Sequence, residues 1–354
     1  MMGLKEKFYN VFRDQIVGGS VVLIKEGKEF QYQYGYCSLV DKKLVDQETI
    51  FRIASISKAI IGIAAMKLVE NGQLDLDEDI GNYLGYQIRN PNYPNVPITT
   101  RMLMLHTSSI TDGKAEDGRG YNGVNGYHYF VSLEDLLANQ NSKVYSKYTY
   151  STDLPGEKYN YSNFGAGIIA CIIEKCSNQL FTEFVEQQIF KPLQMDASYK
   201  ANKIIKKDKI SDAFIEFTTN KTAKEFIDGT YPDFPLGNNF RGPAGGLFVS
   251  MADLSKVMIA LMNDGKYKNV QIFNKETVDT LLNMNFFASR YNKEKQVDLK
   301  GYSGGAYGIC SVMYFCKRKK TGVCFIANGG YYQSTPTGLN HIQEGVISLF
   351  VGEL

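Results

Sequence analysis

The chain has 354 residues, of which 44% are hydrophobic and 21% are charged, and its formal net charge at pH 7 is +2. A chain of this length can bury a large core in one domain or in two closely joined domains. The near balance of charge excludes a strong electrostatic field that would attract nucleic acid or an acidic surface.

Membrane and metal-binding roles are also disfavoured. The longest apolar run without a charge, Phe164–Ile173, is too short to cross a bilayer, and residues 1–7 contain no apolar signal core. We therefore expect no transmembrane segment and a protein that stays inside the cell, unless an export signal precedes the given sequence. The six cysteines form no Cys-x-x-Cys pair and the three histidines are scattered, so we expect free thiols and no metal site.

The N-terminal part predicts a β-hairpin followed by a buried helix. Gly19–Lys25 and Phe30–Tyr36 are the two predicted strands, with a Gly-containing turn between them. The segment Phe51–Lys58 then leads into a helix over Ala59–Glu70. This helix is apolar on nearly all sides, which is typical of a buried helix.

The middle of the chain predicts mostly helices. A helix over Thr99–His106 is followed by Asp112–Asp153, which we interpret as a long insertion near the site or, alternatively, as a mobile surface loop. After a Pro-Gly-Glu turn, Phe164–Lys175 predicts a second buried helix, and Thr182–Phe190 follows it. The lysine-rich stretch Lys200–Lys224 is expected to form a solvated flap or hairpin.

The C-terminal part returns to strands, with a hairpin predicted over Ser311–Cys316 and Val323–Ala327. Because hairpins lie at both ends and helices between them, the sequence predicts an α/β (α+β) fold in which one antiparallel sheet, built from both chain ends, is flanked by helices. We expect a sheet domain of residues 1–70 and 240–354, an inserted mainly helical domain of residues 71–239, and an active site between them.

Candidate catalytic residues stand at the start of the first buried helix. Ser55 and Lys58 form the only Ser-x-x-Lys of the chain, and a spacing of three residues puts both side chains on one helix face. A serine hydroxyl is a weak nucleophile that needs a neighbouring base, which the lysine amine can supply. The alternative is a serine that caps the helix beside a solvated lysine.

A phenol and an amide at the start of the second buried helix are candidate partners. An ammonium such as that of Lys58 favours the phenolate of Tyr161, which can then accept the Ser55 proton and return it to the leaving group. Asn163 can hold Lys58 or a substrate amide. The alternative is a tyrosine hydrogen-bonded at a helix start. The similar Tyr93-Pro94-Asn95 has no helix after it, and we treat it as chance.

The glycine-rich stretch Gly301–Gly308 precedes the C-terminal hairpin. Glycines let a backbone approach a ligand closely, and the N–H of Gly305 with that of Ser55 can form a two-donor oxyanion hole. The alternative is a tight turn. The stretch also matches the Gly-x-Ser-x-Gly elbow of α/β-hydrolases, but no acidic residue lies between Gly305 and His341, so we assign Ser303 to binding and not to nucleophilic attack.

Together these segments resemble the serine β-lactamase and penicillin-binding-protein superfamily. The branch that is most similar contains class C β-lactamases, D-Ala-D-Ala carboxypeptidases, D-aminopeptidases and family VIII esterases. The matching segments in chain order are Phe51–Lys58, Ile98–Ile110, Pro155–Asn163, Pro243–Leu247 and Gly301–Gly308. Two residues depart from the pattern of this branch: Ser109 stands where glycine is usual, and Tyr302 stands where lysine or histidine is usual.

The resemblance implies a serine hydrolase that acts through an acyl-enzyme, without a metal or an organic cofactor. It implies that Ser55 is acylated, that Lys58 and Tyr161 share the proton shuttle, and that Asn163 orients them. His106 is implied to be structural. The resemblance also implies an opposite wall of the site that is formed by Tyr302, Ser303, Gly304 and Gly305.

The residue at position 302 bears on the substrate. A lysine there would attract a substrate carboxylate, whereas a phenol only donates a hydrogen bond. We therefore expect a neutral ester or amide, or an unusual peptide, as a small-molecule substrate. The competing hypothesis is a non-catalytic ligand-binding or self-assembling scaffold that kept the fold, although the intact Ser55, Lys58 and Tyr161 count against it. No nucleic-acid partner and no oligomeric state is implied.

Overall fold

The computed structural model describes residues 3–124 and 128–353. Residues 125–127 of the predicted insertion Asp112–Asp153 therefore lie outside the described residues. The chain divides into two compact units. We call them the sheet unit, which comprises the described residues of Met1–Ala59, Ile189–Thr230 and Gly245–Leu354, and the helical unit, which comprises those of Ile60–Gln188 and Tyr231–Ala244. The predicted domain bounds, and an active site between the domains, stay predictions.

The helices of the described residues are α1 (Leu4–Phe12), α2 (Ser57–Glu70), α3 (Ile80–Leu84), α4 (Thr100–Met104), α5 (Gly120–Gly123), α6 (Leu133–Leu137), α7 (Asn163–Ser177), α8 (Phe181–Val185), α9 (Ala223–Asp228), α10 (Met251–Met262), α11 (Lys275–Asn283) and α12 (His341–Gly352). The strands are β1 (Gly18–Lys25), β2 (Lys28–Ser38), β3 (Lys43–Leu44), β4 (Ile50–Arg52), β5 (Ala213–Ile215), β6 (Thr218–Lys221), β7 (Phe248–Ser250), β8 (Lys266–Tyr267), β9 (Val270–Gln271), β10 (Ala288–Asn292), β11 (Val297–Ala306), β12 (Ile309–Cys316) and β13 (Thr321–Ala327).

The sheet unit is built on an antiparallel sheet. Over the described residues it has seven strands in the order β10-β11-β12-β13-β1-β2-β3. The central pair joins the two ends of the chain, since β1 pairs with β13 from Gly19↔Ala327 to Lys25↔Thr321. The predicted fold class and both predicted hairpins are confirmed.

Side-chain alternation along the strands divides the sheet into two faces. On one face, Val21, Val312 and Phe325 pack with Phe8 and Phe12 of α1 and with residues of α12. On the other face, α10 covers the centre of the sheet, where the Sγ of Cys324 lies 3.7 Å from the Sδ of Met258. Both faces of the central strands β1 and β13 are thus buried, which explains why the sequences of these two strands are mostly apolar.

Two expectations for the sheet unit need correction. Residues Gly301–Ala306 belong to β11, so the alternative of a tight turn is wrong for them. The lysine-rich stretch contains the predicted hairpin, β5 with β6, but it is not solvated throughout. Ile210 and Ala213 are buried, because they pack in one cluster with Phe248 of β7 and Phe226 of α9.

The helical unit is organised around α7, which is apolar along most of its length and buried. Within it, Glu174 is fully buried and accepts hydrogen bonds from the backbone N–H groups of Phe181 and Gly237. Burial raises the pKa of this carboxyl group, and the hydrogen bonds only partly offset that effect. Among the described residues, no helix combines the length and the apolar character that crossing a membrane requires.

Candidate active site

Ser55 lies in a tight turn that connects β4 to α2. A short 3-10 helix over Ala54–Ile56 forms this turn. Ala54 has a φ of 51°, in the left-handed region that a residue with a Cβ rarely adopts. Such a conformation costs of the order of 1–3 kcal/mol and is retained only where the surroundings enforce it.

Hydrogen bonds enforce the turn from both of its ends. At the start, the Oγ of Ser311 on β12 donates to the carbonyl oxygen of Ile53 at 2.9 Å. At the end, the buried Ser57 donates through its Oγ to the carbonyl oxygen of Ala54 at 2.6 Å and accepts from the backbone N–H of Leu247 at 3.1 Å. Because each such bond is worth about 1 kcal/mol net, together they offset the backbone strain.

Lys58 and Ser55 are brought together as the Ser-x-x-Lys spacing predicts. The Nζ of Lys58 donates to the Oγ of Ser55 at 3.4 Å, which is a long hydrogen bond. Lys58 is only 2% exposed, whereas Ser55 is half-buried. The serine is therefore partly exposed while the lysine beside it is buried, an arrangement that suits a serine activated by a lysine.

Strand β11 packs against the turn that carries Ser55. Its residue Gly304 pairs with Ser311. A Cβ at Gly304 would lie 2.9 Å from the carbonyl oxygen of Ile53 and 3.1 Å from the backbone nitrogen of Ser55. A side chain at position 304 would thus collide with the turn, so the glycine is required here by close approach rather than by a turn.

Tyr302 lies two residues before Gly304, on the same face of β11. Its ring makes edge-to-face contacts with Phe286 and Phe287, at centroid distances of 5.3 and 5.6 Å. Ser303 and Gly305 lie on the opposite face by strand alternation. This alternation does not affect the predicted oxyanion role of Gly305, because the backbone N–H groups of a strand point within the plane of the sheet.

One side of β11 is open beside this cluster. β10 pairs with β11 only as far as Gly301. From Tyr302 to Ala306 the strand pairs with β12 on one side, and with no further strand of the described residues on the other. An open strand edge offers backbone donors and acceptors to an extended ligand.

In the helical unit, Tyr161 and Asn163 stand at the start of α7, as the sequence predicts. Tyr161 is 39% exposed, and its ring lies against the imidazole of His106 at a centroid distance of 4.7 Å. The Nδ1 of His106 accepts a hydrogen bond from the backbone N–H of Ser162 at 3.2 Å. This contact supports a structural role for His106, because it fixes the backbone next to Tyr161.

Asp112 is a residue of this site that sequence reasoning missed. Its Oδ1 accepts hydrogen bonds from the Oγ of Ser162 at 2.9 Å and from the backbone N–H of Phe164 at 2.8 Å. Its Oδ2 accepts from the Nδ2 of Asn163 at 2.8 Å. One carboxylate thus caps α7 and orients Asn163. The only available signal was an acidic residue shortly after the His-Thr-Ser stretch, which is too common a feature to single out.

The predicted site residues fall into two groups. The sheet unit brings together Ser55, Lys58 and the Gly304 segment, and the helical unit brings together Tyr161 and Asn163. The catalytic roles assigned to them stay predictions.

Comparisons with known proteins identify the family of the chain. The sequence profile of the β-lactamase family matches residues 6–345. The protein flp of Staphylococcus aureus (strain MRSA252) is 26% identical over 331 residues, which cover 90% of this chain and 61% of that protein. The chain therefore spans less than two thirds of the length of this curated relative.

Solved structures show the same fold. The D-amino acid amidase of Ochrobactrum anthropi SV3, in complex with D-phenylalanine, superposes with a TM-score of 0.71 at 20% identity, covering 98% of this chain and 97% of that one. The octameric penicillin-binding protein homologue of Pyrococcus abyssi gives a TM-score of 0.70 at 23% identity, covering 98% and 75%. With a family profile that spans nearly the whole sequence, the chain belongs to the β-lactamase family, within the superfamily of serine hydrolases and penicillin-binding proteins.

Proposed function

We propose that the protein is a serine hydrolase that forms an acyl-enzyme at Ser55 with a small ester, amide or peptide substrate. The observation that carries the proposal is the contact of 3.4 Å between the Oγ of Ser55 and the Nζ of the buried Lys58. Family membership supports it, since the nucleophile segment lies within the matched residues.

In the proposed reaction, the Oγ of Ser55 bonds to the scissile carbonyl carbon while Lys58 and Tyr161 take up the hydroxyl proton. The oxyanion that forms is stabilised by the backbone N–H groups of Ser55 and Gly305. Collapse of this intermediate breaks the bond to the leaving group, which takes the proton. Water then attacks the acyl-enzyme by the same steps, releasing the acid and restoring Ser55.

The surroundings of Tyr302 support a substrate that carries no carboxylate at that end of β11. The ring packs among Phe286 and Phe287, so the group at position 302 is aromatic rather than cationic. The amidase among the similar structures was solved with D-phenylalanine, a small molecule with an aromatic side chain. A small amide or ester with an apolar group at this end is therefore the substrate class that we propose.

Covalent labelling tests the proposal. The wild-type protein is incubated with a fluorescent penicillin, a fluorophosphonate or p-nitrophenyl butyrate, and intact mass and p-nitrophenol release are recorded. We expect an adduct or turnover with at least one of these compounds, and its loss in Ser55→Ala. Ser348→Ala, which changes an exposed serine on α12, is the matched control and should behave as wild type.

The opposite result favours the competing hypothesis. If no compound labels the wild-type protein or is turned over, and Ser55→Ala is indistinguishable from it, the protein is a non-catalytic member of the family. Thermal-shift measurements with the same compounds would then report binding without acylation.

A further inference from the structure

Arg52 lies three residues before Ser55 and reaches the end of β11 that lies away from Tyr302, and a second basic side chain of the sheet unit, Lys221, lies within electrostatic range of it. The Nε of Arg52 donates to the carbonyl oxygen of Gly245 at 3.0 Å. Gly245 in turn packs on the backbone of Ala54, since a Cβ at Gly245 would lie 3.8 Å from the carbonyl carbon of Ala54. The Arg52 side chain is therefore bound to a residue that packs on the turn of the proposed nucleophile.

The hairpin turn after β11 approaches the same guanidinium. The Cζ of Arg52 lies 5.2 Å from the ring centroid of Tyr307, which is 59% exposed. The turn is docked on β5, because a Cβ at Gly308 would overlap the carbonyl oxygen of Phe214. Tyr307 is thus presented at a fixed place, three residues along the chain from Gly304, or about 10 Å at the usual rise of a strand.

Lys221, at the end of β6, completes the cluster. Its Nζ lies over the ring of Phe226 at 4.9 Å, Phe226 contacts Phe248, and Phe248 pairs with Arg52 across β4 and β7. Partial burial lowers the pKa of Lys221, the charge of Arg52 lowers it further, and the Glu225 carboxylate partly opposes both effects.

No carboxylate of the described residues forms an ion pair with Arg52 or Lys221. Other lysines of this region are paired: Lys206 with Glu48, Lys209 with Asp46 and Lys224 with Asp228. Glu225 lies within electrostatic range of Lys221 but accepts hydrogen bonds from Thr222 instead. Holding two cations together without an ion-paired carboxylate costs free energy, which a bound anion would reduce. We therefore propose, on the basis of the proposed function, that Arg52, Lys221 and Tyr307 form a subsite for a substrate carboxylate remote from the scissile carbonyl.

The two ends of β11 then have opposite preferences. The aromatic end at Tyr302 takes an apolar group, and the cationic end at Tyr307 takes an anionic one. Arg52 keeps its Nη groups for a bidentate contact with a carboxylate, the phenol of Tyr307 donates a hydrogen bond, and Lys221 adds charge.

A matched substrate series tests the subsite. p-Nitrophenyl half-esters of the dicarboxylic acids from succinate to suberate carry the carboxylate on the acyl side, and 4-butyryloxybenzoate carries it on the leaving group. Each is compared with its own methyl ester, which removes only the charge. In the wild type we expect kcat/KM to be about tenfold higher for the acid than for its methyl ester in one of the two series, because charge-assisted hydrogen bonds are of that strength.

Variants locate the effect. Lys221→Gln and Arg52→Gln should each lower this ratio several-fold, Arg52→Lys should restore part of it, and added salt should reduce it. Lys224→Gln, an exposed lysine that is already paired with Asp228, is the matched control and should leave the ratio unchanged. Because each variant is judged by a ratio of two substrates, a general loss of activity does not imitate the result.

Failure of this inference differs from failure of the proposed function. If the esters are hydrolysed with equal efficiency whether charged or methylated, the subsite is wrong and the hydrolase stands. If no ester is hydrolysed, calorimetric titration with monomethyl suberate decides: binding that weakens in Lys221→Gln supports the subsite, and absence of binding to the wild type overturns it.

Discussion

Ser109 shows how a single residue departs from the pattern of its family at a structural cost. It has a φ of 62° and is 3% exposed. Glycine adopts this conformation without strain, which explains why the related enzymes that the sequence resembles usually have glycine here. In this chain a hydrogen bond partly offsets the backbone strain, because the Oγ of Ser109 accepts from the Nδ2 of the buried Asn90 at 2.9 Å.

Two substitutions at this position separate strain from hydrogen bonding. Ser109→Ala loses the acceptor and keeps the strained Cβ, whereas Ser109→Gly loses the acceptor but also the strain. We expect the alanine variant to have a free energy of unfolding about 1 kcal/mol lower than the glycine variant. Urea unfolding of both variants measures this difference, and equal stabilities would contradict the strain at Ser109.

At the scale of elements, the start of α7 depends on a residue outside the helix. Asp112 accepts from Ser162 and Phe164 with one carboxylate oxygen and from Asn163 with the other. The first set caps the helix and the second orients a candidate catalytic amide, so the two functions of Asp112 can be separated chemically.

Asp112→Asn makes this separation. The amide oxygen can replace Oδ1 as the acceptor for Ser162 and Phe164, but the NH₂ group would then face the NH₂ group of Asn163. We expect kcat for ester hydrolysis to fall about as far as in Asn163→Ala, with KM changing less and the free energy of unfolding falling by only about 1–2 kcal/mol.

Steady-state kinetics and urea unfolding on the same preparations check the Asp112 prediction. Asp117→Asn, which changes an acidic residue that binds Ser146 in the same segment, is the control. A loss of stability with no change of kcat in Asp112→Asn would show that Asp112 acts only as a helix cap.

The elements differ in how well the sequence predicts them, for physical reasons. The hairpins at both ends and the buried helix α7 were predictable, because their apolar runs are bounded by turn residues. The sequence did not predict a strand at β11, because glycine is unfavourable in strands. Its Gly304 is there because the Ser55 turn comes too close for a side chain, and a contact between distant segments leaves no local pattern.

The same limit applies to the site. The spacing of Ser55 and Lys58 follows from helix geometry, so their contact was predictable. The positive φ of Ala54 and the hydrogen bonds to Asp112 depend on segments far away in the sequence. No local sequence pattern around Ala54 or Asp112 therefore predicts their roles.

At the scale of the whole molecule, the first and last helices of the sheet unit, α1 and α12, pack against each other. Lys7 of α1 forms an ion pair with Glu353 at 2.9 Å, and Gly345 of α12 lies close enough to α1 that a Cβ would be 3.0 Å from the Cγ1 of Val11. The first and last described residues of this unit are therefore near each other, although the chain runs through a second unit in between.

A circular permutant uses this proximity. We expect a chain in which a short Gly/Ser linker joins residue 353 to residue 3, with new ends in the exposed turn between Glu294 and Lys295, to fold with a midpoint of thermal unfolding within a few degrees of the wild type. Circular dichroism measures the transition. The matched control has its new ends between Val22 and Leu23, inside β1, and should not fold; cooperative unfolding of this control would contradict the central place of β1.

The pairing of Gly19 with Ala327 also has a consequence for synthesis. During translation, the N-terminal hairpin leaves the ribosome long before the strand that it needs, and β12, whose Ser311 holds the Ser55 turn, emerges almost as late. Until then the hairpin exposes an unpaired apolar edge, of the kind that associates with other chains. The nascent polypeptide is thus expected to depend on chaperones, and to acquire any activity at Ser55 only after nearly all of it has been made.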